Sequence, residues 1–149
     1  MAPTLNYLLD RTTSRQWRGF LAALAEEFQT QLGADELRQL MARIGQRFGA
    51  THQLPPCEST AQLAEAFNLI WHDSDWGFVE LIEEADGLRI IHYCAPLTAF
   101  GPSALAWTPG FLQGVYEHWL SELGAEGLSV QQTSEFDDHA AIEFRLGRN

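Results

Sequence analysis

The sequence predicts an α+β domain, a small antiparallel sheet covered by helices. Two observations carry this. Apolar residues recur at steps of three and four through most of the first seventy residues and again near 111–123. Between and after those stretches the pattern changes to short runs rich in aromatic and β-branched residues, separated by turn-forming residues. The expected order is three N-terminal helices, a hairpin, a helix and a closing hairpin. An arm over residues 1–15 precedes a single domain over 16–149.

The arm shows no long period and reads as extended or partly helical. Thr13 and Gln16 have capping-box spacing. The helix behind them carries Trp17, Phe20, Leu21, Leu24, Phe28 and Leu32, and Gly33 ends it. Asp35 is placed to cap a second helix with Leu37, Leu40, Met41, Ile44 and Phe48, ending at Gly49. So short a connection predicts an antiparallel pair. Pro55 and Pro56 mark a loop, and Ser59 with Gln62 opens a third helix presenting Leu63, Phe67, Ile70 and Trp71. Residues 76–82 and 88–93 then form a hairpin around Asp86-Gly87. Pro96, Gly101 and Pro102 mark a loop. Thr108 followed by Pro109 predicts an N-cap and a helix that buries Phe111, Leu112, Val115, Trp119 and Leu123 and stops at Gly124. Residues 128–134 and 141–146 close the chain as a second hairpin around Asp137-Asp138.

Composition narrows the function. At 149 residues and 46% hydrophobic, the chain has enough apolar material for a core of its own. Residues 1–50 carry net charge +1 and residues 51–149 carry −12, for a total of −11. Such a chain is repelled by phosphate backbones and anionic lipid, which argues against nucleic acid. No apolar run reaches the ~18 residues of a membrane helix. The first residues lack a basic region and a long apolar stretch, so the expected location is cytoplasmic.

The chemistry-bearing motifs are few. His72-Asp73-Ser74-Asp75 gathers an imidazole and two carboxylates, a start for a metal site or a general base. The simpler reading is that this segment ends the third helix. Asp137-Asp138-His139 has the same two readings, with turn chemistry the simpler. Cys57 and Cys94 have neither a disulfide framework nor zinc-ligand spacing, and Cys94 reads as a small buried apolar residue. No nucleophile elbow, zincin, P-loop or dinucleotide motif is present. The sequence therefore predicts no enzyme, no cofactor and no metal. Most tryptophans sit on helical stripes, as core or interface contacts do. Tyr7 stands outside them.

The chain resembles the D-subunit family of bacterial cellulose synthase complexes. The resemblance lies in 20–24 with Gly45-Gln46-Arg47-Phe48, in Trp76-Gly77-Phe78-Val79-Glu80-Leu81 with 88–92, and in Leu112-Gln113-Gly114-Val115-Tyr116 up to Trp119-Leu120. It spans roughly residues 17–123. It implies a non-catalytic α+β accessory protein that assembles from dimers into an octamer. In such an assembly the N-terminal arms line passages for β-1,4-glucan chains on their way to export and crystalline cellulose. The implied partners are those glucan chains, other synthase subunits and further copies of the chain. The implied place is the cytoplasmic side of the inner-membrane synthase, with the periplasm as the alternative. On this reading the arm is the glucan contact: Tyr7 offers a ring face, while Asn6 and Arg11 hydrogen-bond hydroxyls. The alternative role for the arm is to staple neighbouring protomers.

From residue 76 onward the chain also resembles four-vinyl-reductase-like sensor and vesicle-tethering domains. That likeness implies a dimer that binds small hydrophobic molecules or partner proteins.

Overall fold

The computed structural model describes residues 3–125 and 127–148. Four helices precede the first strand: α1 (Pro3–Thr12), α2 (Arg15–Gln31), α3 (Ala34–Thr51) and α4 (Thr60–Ser74). Then come the hairpin β1 (Phe78–Glu84) and β2 (Gly87–Tyr93), two 3-10 turns at Leu97–Phe100 and Pro102–Ala106, and α5 (Gly110–Glu122). The strands β3 (Leu128–Gln132) and β4 (Ala141–Arg148) end the chain. The α+β class is as the sequence predicts, and so is the order of elements after the arm; the arm itself adds a fourth N-terminal helix.

The sheet is antiparallel with order β1-β2-β4-β3, so β4 inserts between the first hairpin and β3. Alternation places Val79, Ile90, His92, Ile142, Phe144 and Leu146 on one face. That face packs against α4 and α5, where Phe67, Trp71, Tyr116 and Trp119 are fully buried. The rings stack closely, with Phe67 and Trp119 at 4.8 Å and Phe48 and Trp71 at 5.7 Å. On the other face Arg89 and Arg145 lie opposite each other on β2 and β4. Arg89 pairs with Glu143 and Arg145 with Glu84 and Asp86, so the like charges are separated by acids.

Helix α3 meets α5 through glycine. A Cβ on Gly45 would lie 2.1 Å from the Phe111 carbonyl oxygen, and one on Gly114 would lie 2.0 Å from that of Ala42. Only a residue without a side chain lets the two backbones approach so far. Gly49 belongs to the same seam, facing the His118 side chain. This corrects the expected helix end at Gly49: the glycine serves packing, and the helix runs on to Thr51.

Other local expectations shift as well. The arm is helical from Pro3 to Thr12, with proline at a position where its missing N–H costs nothing. Ser14, not Thr13, caps α2, accepting from Gln16 N at 3.3 Å, while Thr13 Oγ1 donates back to the Leu9 carbonyl. Gly33 precedes α3 without a side-chain cap, and Asp35 sits in the first turn, where its charge meets the helix dipole. Helix α2 packs chiefly against the first 3-10 turn rather than along α3, so the expected antiparallel pair is not its main contact. Thr108 Oγ1 donates to the Ala104 carbonyl and leaves α5 without a side-chain cap. Leu123 is exposed rather than buried. Ser59 caps α4 as expected, accepting from Gln62 N at 3.1 Å, while Gln62 accepts from Glu58 N at 2.8 Å.

Candidate functional site

The arm is the element that sequence reasoning singles out, and its helical form sorts its residues by face. Leu5, Leu8, Leu9 and Thr12 recur at helical spacing and line one open groove of about 570 Å³. Its other walls are Asn68, Trp71, His72 and Asp75 from α4 and its cap, Gly77 and Phe78 entering β1, and Cys94 after β2. Leu9 is buried there. The arm thus has an apolar stripe at i, i+3, i+4 and i+7, which corrects the expectation that residues 1–15 show no long period. Ten residues are too few to be stable as a helix alone, so the helix depends on the groove that its stripe meets. Arg18 of α2 ties the junction by donating to the backbone carbonyls of Asp10 and Thr13.

Tyr7 lies two residues from Leu9, about 200° around the helix, and so faces away from that groove. It is 59% exposed. Arg11, one turn on, donates from Nη1 to the Tyr7 hydroxyl at 3.2 Å, and its guanidinium carbon lies 5.6 Å from the ring centroid. The guanidinium beside the ring widens this exposed surface, with its remaining N–H groups at the edge. Asn6 is exposed on the same short helix. The three expected contact residues therefore share one exposed element, and Tyr7 and Arg11 touch directly.

The other motifs fall into structural roles. Asp75 closes α4 in a left-handed conformation, φ 56°, with its N–H donating to the His72 carbonyl. Ser74 Oγ donates to the Ile70 carbonyl at 2.8 Å. His72 and Asp75 reach the arm groove, while Asp73 is solvent-exposed. Asp137 Oδ1 accepts from the backbone N–H of His139 at 2.8 Å and of Ala141 at 3.0 Å, an Asx turn. Among the described residues, no three His, Cys, Asp or Glu side chains are grouped to hold a metal ion. Cys94 departs from its expected place in the core. It is partly exposed beside the groove, with φ 62°, and burial raises its thiol pKa.

One buried polar chain escapes sequence reading altogether. His92 Nε2 lies 2.7 Å from the Trp76 carbonyl oxygen, which can only accept, so that nitrogen carries the proton. Nδ1 then accepts from the Tyr116 hydroxyl at 2.6 Å, and the Tyr116 oxygen accepts from Trp71 Nε1 at 3.1 Å. Every member is satisfied, which lets a histidine sit fully buried in an aromatic core. Burial pushes its pKa down to about 4 against the opposing pull of the Trp76 carbonyl, and raises that of Tyr116. Gly77, at φ 84°, keeps the Trp76 carbonyl in place, because a Cβ there would meet the Tyr93 carbonyl oxygen at 1.9 Å.

No described helix is long and apolar enough to cross a membrane. A family model for the D subunit of cellulose synthase matches residues 3–147. Two similar proteins are both called cellulose synthase operon protein D. One comes from Komagataeibacter xylinus and the other from Komagataeibacter sucrofermentans. Each is 31% identical over 112 residues, covering 72% of this chain and 72% of its own length.

Proposed function

The chain belongs to the D-subunit family of cellulose synthase, and on that premise we propose that it is a non-catalytic accessory protein of bacterial cellulose synthesis. In this reading it forms a homo-oligomer, an octamer, that guides or bundles β-1,4-glucan chains beside the inner-membrane synthase, on the cytoplasmic side. Family membership favours this over the sensor and vesicle-tethering likeness.

The observation that carries the reading is the exposed Tyr7–Arg11 pair on the arm. A pyranose ring presents C–H groups on its faces and hydroxyls around its rim. An aromatic face beside a guanidinium edge and the Asn6 amide complements both. The chain is strongly acidic, and a neutral glucan meets no repulsion from it. Oligomerisation has its own support. Trp17 and Phe20 pack edge to face at 5.6 Å on α2, yet are 52% and 55% exposed. Large apolar side chains left on one helix face are what an obligate interface covers.

The test is a single preparation measured three ways. Light scattering should give a mass well above a dimer. Titration with cello-oligosaccharides should show binding. Prolonged incubation should release no reducing ends. A monomeric mass, no binding, or hydrolysis that vanishes in Asp73→Asn would each sink the corresponding part.

A further inference from the structure

The arm groove and the buried histidine share a wall. Trp71 lines the groove without exposed surface of its own, and its ring meets the His92 imidazole edge to face at 4.9 Å. Gly77, also in the lining, follows Trp76, whose carbonyl takes the His92 proton. Around the rest of the ring stand Val79 of β1, Ile142 of β4 and Tyr116 of α5. Tyr116 is the titratable group among these neighbours, and His72, Asp75 and Cys94 are the titratable groups lining the groove.

This arrangement decides the side from which water can reach the ring. Toward α5 the imidazole is backed by Tyr116, behind which Trp119 and Phe144 pack at 6.0 Å, all fully buried. Toward the groove, Trp71 and the Trp76-Gly77 corner separate it from the arm, which closes that side with Leu5, Leu8 and Leu9. The hold of the arm is light. Leu9 is buried, but Leu8 is 53% exposed, and the polar tie to α2 is Arg18 on the Asp10 and Thr13 carbonyls. A segment with so little buried surface opens before the core does. The histidine supplies the strain that would open it. Neutral His92 donates to Trp76 and accepts from Tyr116, whereas the imidazolium turns a second N–H on a Tyr116 oxygen already engaged by Trp71.

We propose that the arm is an acid-released strap: protonation of His92 loosens Trp71 and the Trp76-Gly77 corner, and the helix Pro3–Thr12 leaves its groove while the rest of the domain stays folded. Burial holds the imidazole at about 4 against its ordinary 6.5 while the arm is docked. Docking is therefore strongest above pH 6.5 and weakens as pH falls toward 4. With the ring returned to water on release, the docking equilibrium falls by up to about thirtyfold between pH 7.5 and pH 5. Tyr7 and Arg11 ride on the same helix, so release also moves the surface assigned to glucan. The strap itself does not rest on that assignment.

Hydrogen exchange of the full-length protein without ligand, at pH 7.5 and pH 5, reads the arm directly once rates are expressed as protection factors. The expected result is a loss of protection of roughly ten- to thirtyfold in residues 3–12, while α5 and β4 keep theirs. His92→Gln can still donate to Trp76 and accept from Tyr116 but does not titrate, so it should remove the pH dependence. Tyr116→Phe takes away the donor to Nδ1 and should move release toward neutral pH, which keeps the proposal testable if His92→Gln does not fold. His72→Asn, in the groove lining, should behave as wild type. An arm equally protected at both pH values would overturn the strap. So would an arm and α5 that lose protection together, or a response that His72→Asn abolishes and His92→Gln retains.

Discussion

His92 and Tyr116 share a buried hydrogen bond of 2.6 Å that joins the second strand to the last helix. Its direction is set from outside the pair, because the Trp76 carbonyl takes the only proton of the neutral imidazole. Protonating His92 would put a second N–H where Nδ1 accepts, facing the Tyr116 oxygen, which already accepts from Trp71. A charged ring there would have to be solvated by aromatic side chains.

Stability should therefore depend on acid in a defined window. The folded pKa is about 4, below the ordinary value of 6.5, so the unfolded chain binds the proton more readily. The contribution is full above pH 6.5 and is lost as pH falls toward 4, with a slope of up to about 1.4 kcal/mol per pH unit. Thermal melts across this window should show the loss, and His92→Gln should lower stability at neutral pH while flattening the curve. An unchanged slope in the variant would place the acid sensitivity elsewhere.

The glycine seam predicts a contrast between two substitutions of the same kind. Gly45→Ala or Gly114→Ala drives a methyl group into a carbonyl of the facing helix and should cost about 3 kcal/mol. Gly19→Ala lies within α2 with nothing within 4 Å of the new Cβ, and should stabilise by about 0.5–1 kcal/mol. Urea unfolding of the variants measures both. Equal effects at the seam and at Gly19 would mean that α3 and α5 are not in contact as described.

These cases show what a single sequence makes legible. The order of elements follows from local period, and the Ser59 cap follows from residues three apart. The seam depends on Gly45 and Gly49 meeting Phe111 and His118, far away in sequence, so Gly49 alone reads as a helix stop. Paired G-x-x-x-G spacings at Gly45–Gly49 and Gly110–Gly114 were the available signal. Nothing local marks His92 as the partner of Tyr116, since alternation only assigns it to a sheet face. At the arm, Tyr7 stood out because it lay off every stripe. Its pairing with Arg11 required knowing that the arm is a helix.

Self-association should pass through the exposed face of α2. Phe20→Asp places a charge at an apolar position that the folded protomer can spare, since Phe20 is exposed and absent from the core cluster. The expected outcome is a smaller mass by light scattering with the melting behaviour of the protomer little changed. An unaltered mass would move the interface off α2.

The arm has two faces, and they separate the two roles open to it. Leu9 is buried against the groove formed by α4 and β1, whereas Tyr7 projects from the opposite side with Arg11 over its ring. Tyr7→Ala leaves the docked face intact, so arm position and oligomer mass should not change. If the exposed face holds glucan, losing one stacked ring should weaken cello-oligosaccharide binding about tenfold, the upper end of the roughly 0.5–1.5 kcal/mol that such contacts contribute. Leu9→Ala acts on the other face and should cost roughly 2 kcal/mol of arm docking. That loss should appear as faster hydrogen exchange in residues 3–12. A staple between protomers would give a different pattern: Tyr7→Ala would lower the mass and leave sugar affinity per protomer unchanged. Full binding and full assembly in both variants would remove the arm from function altogether.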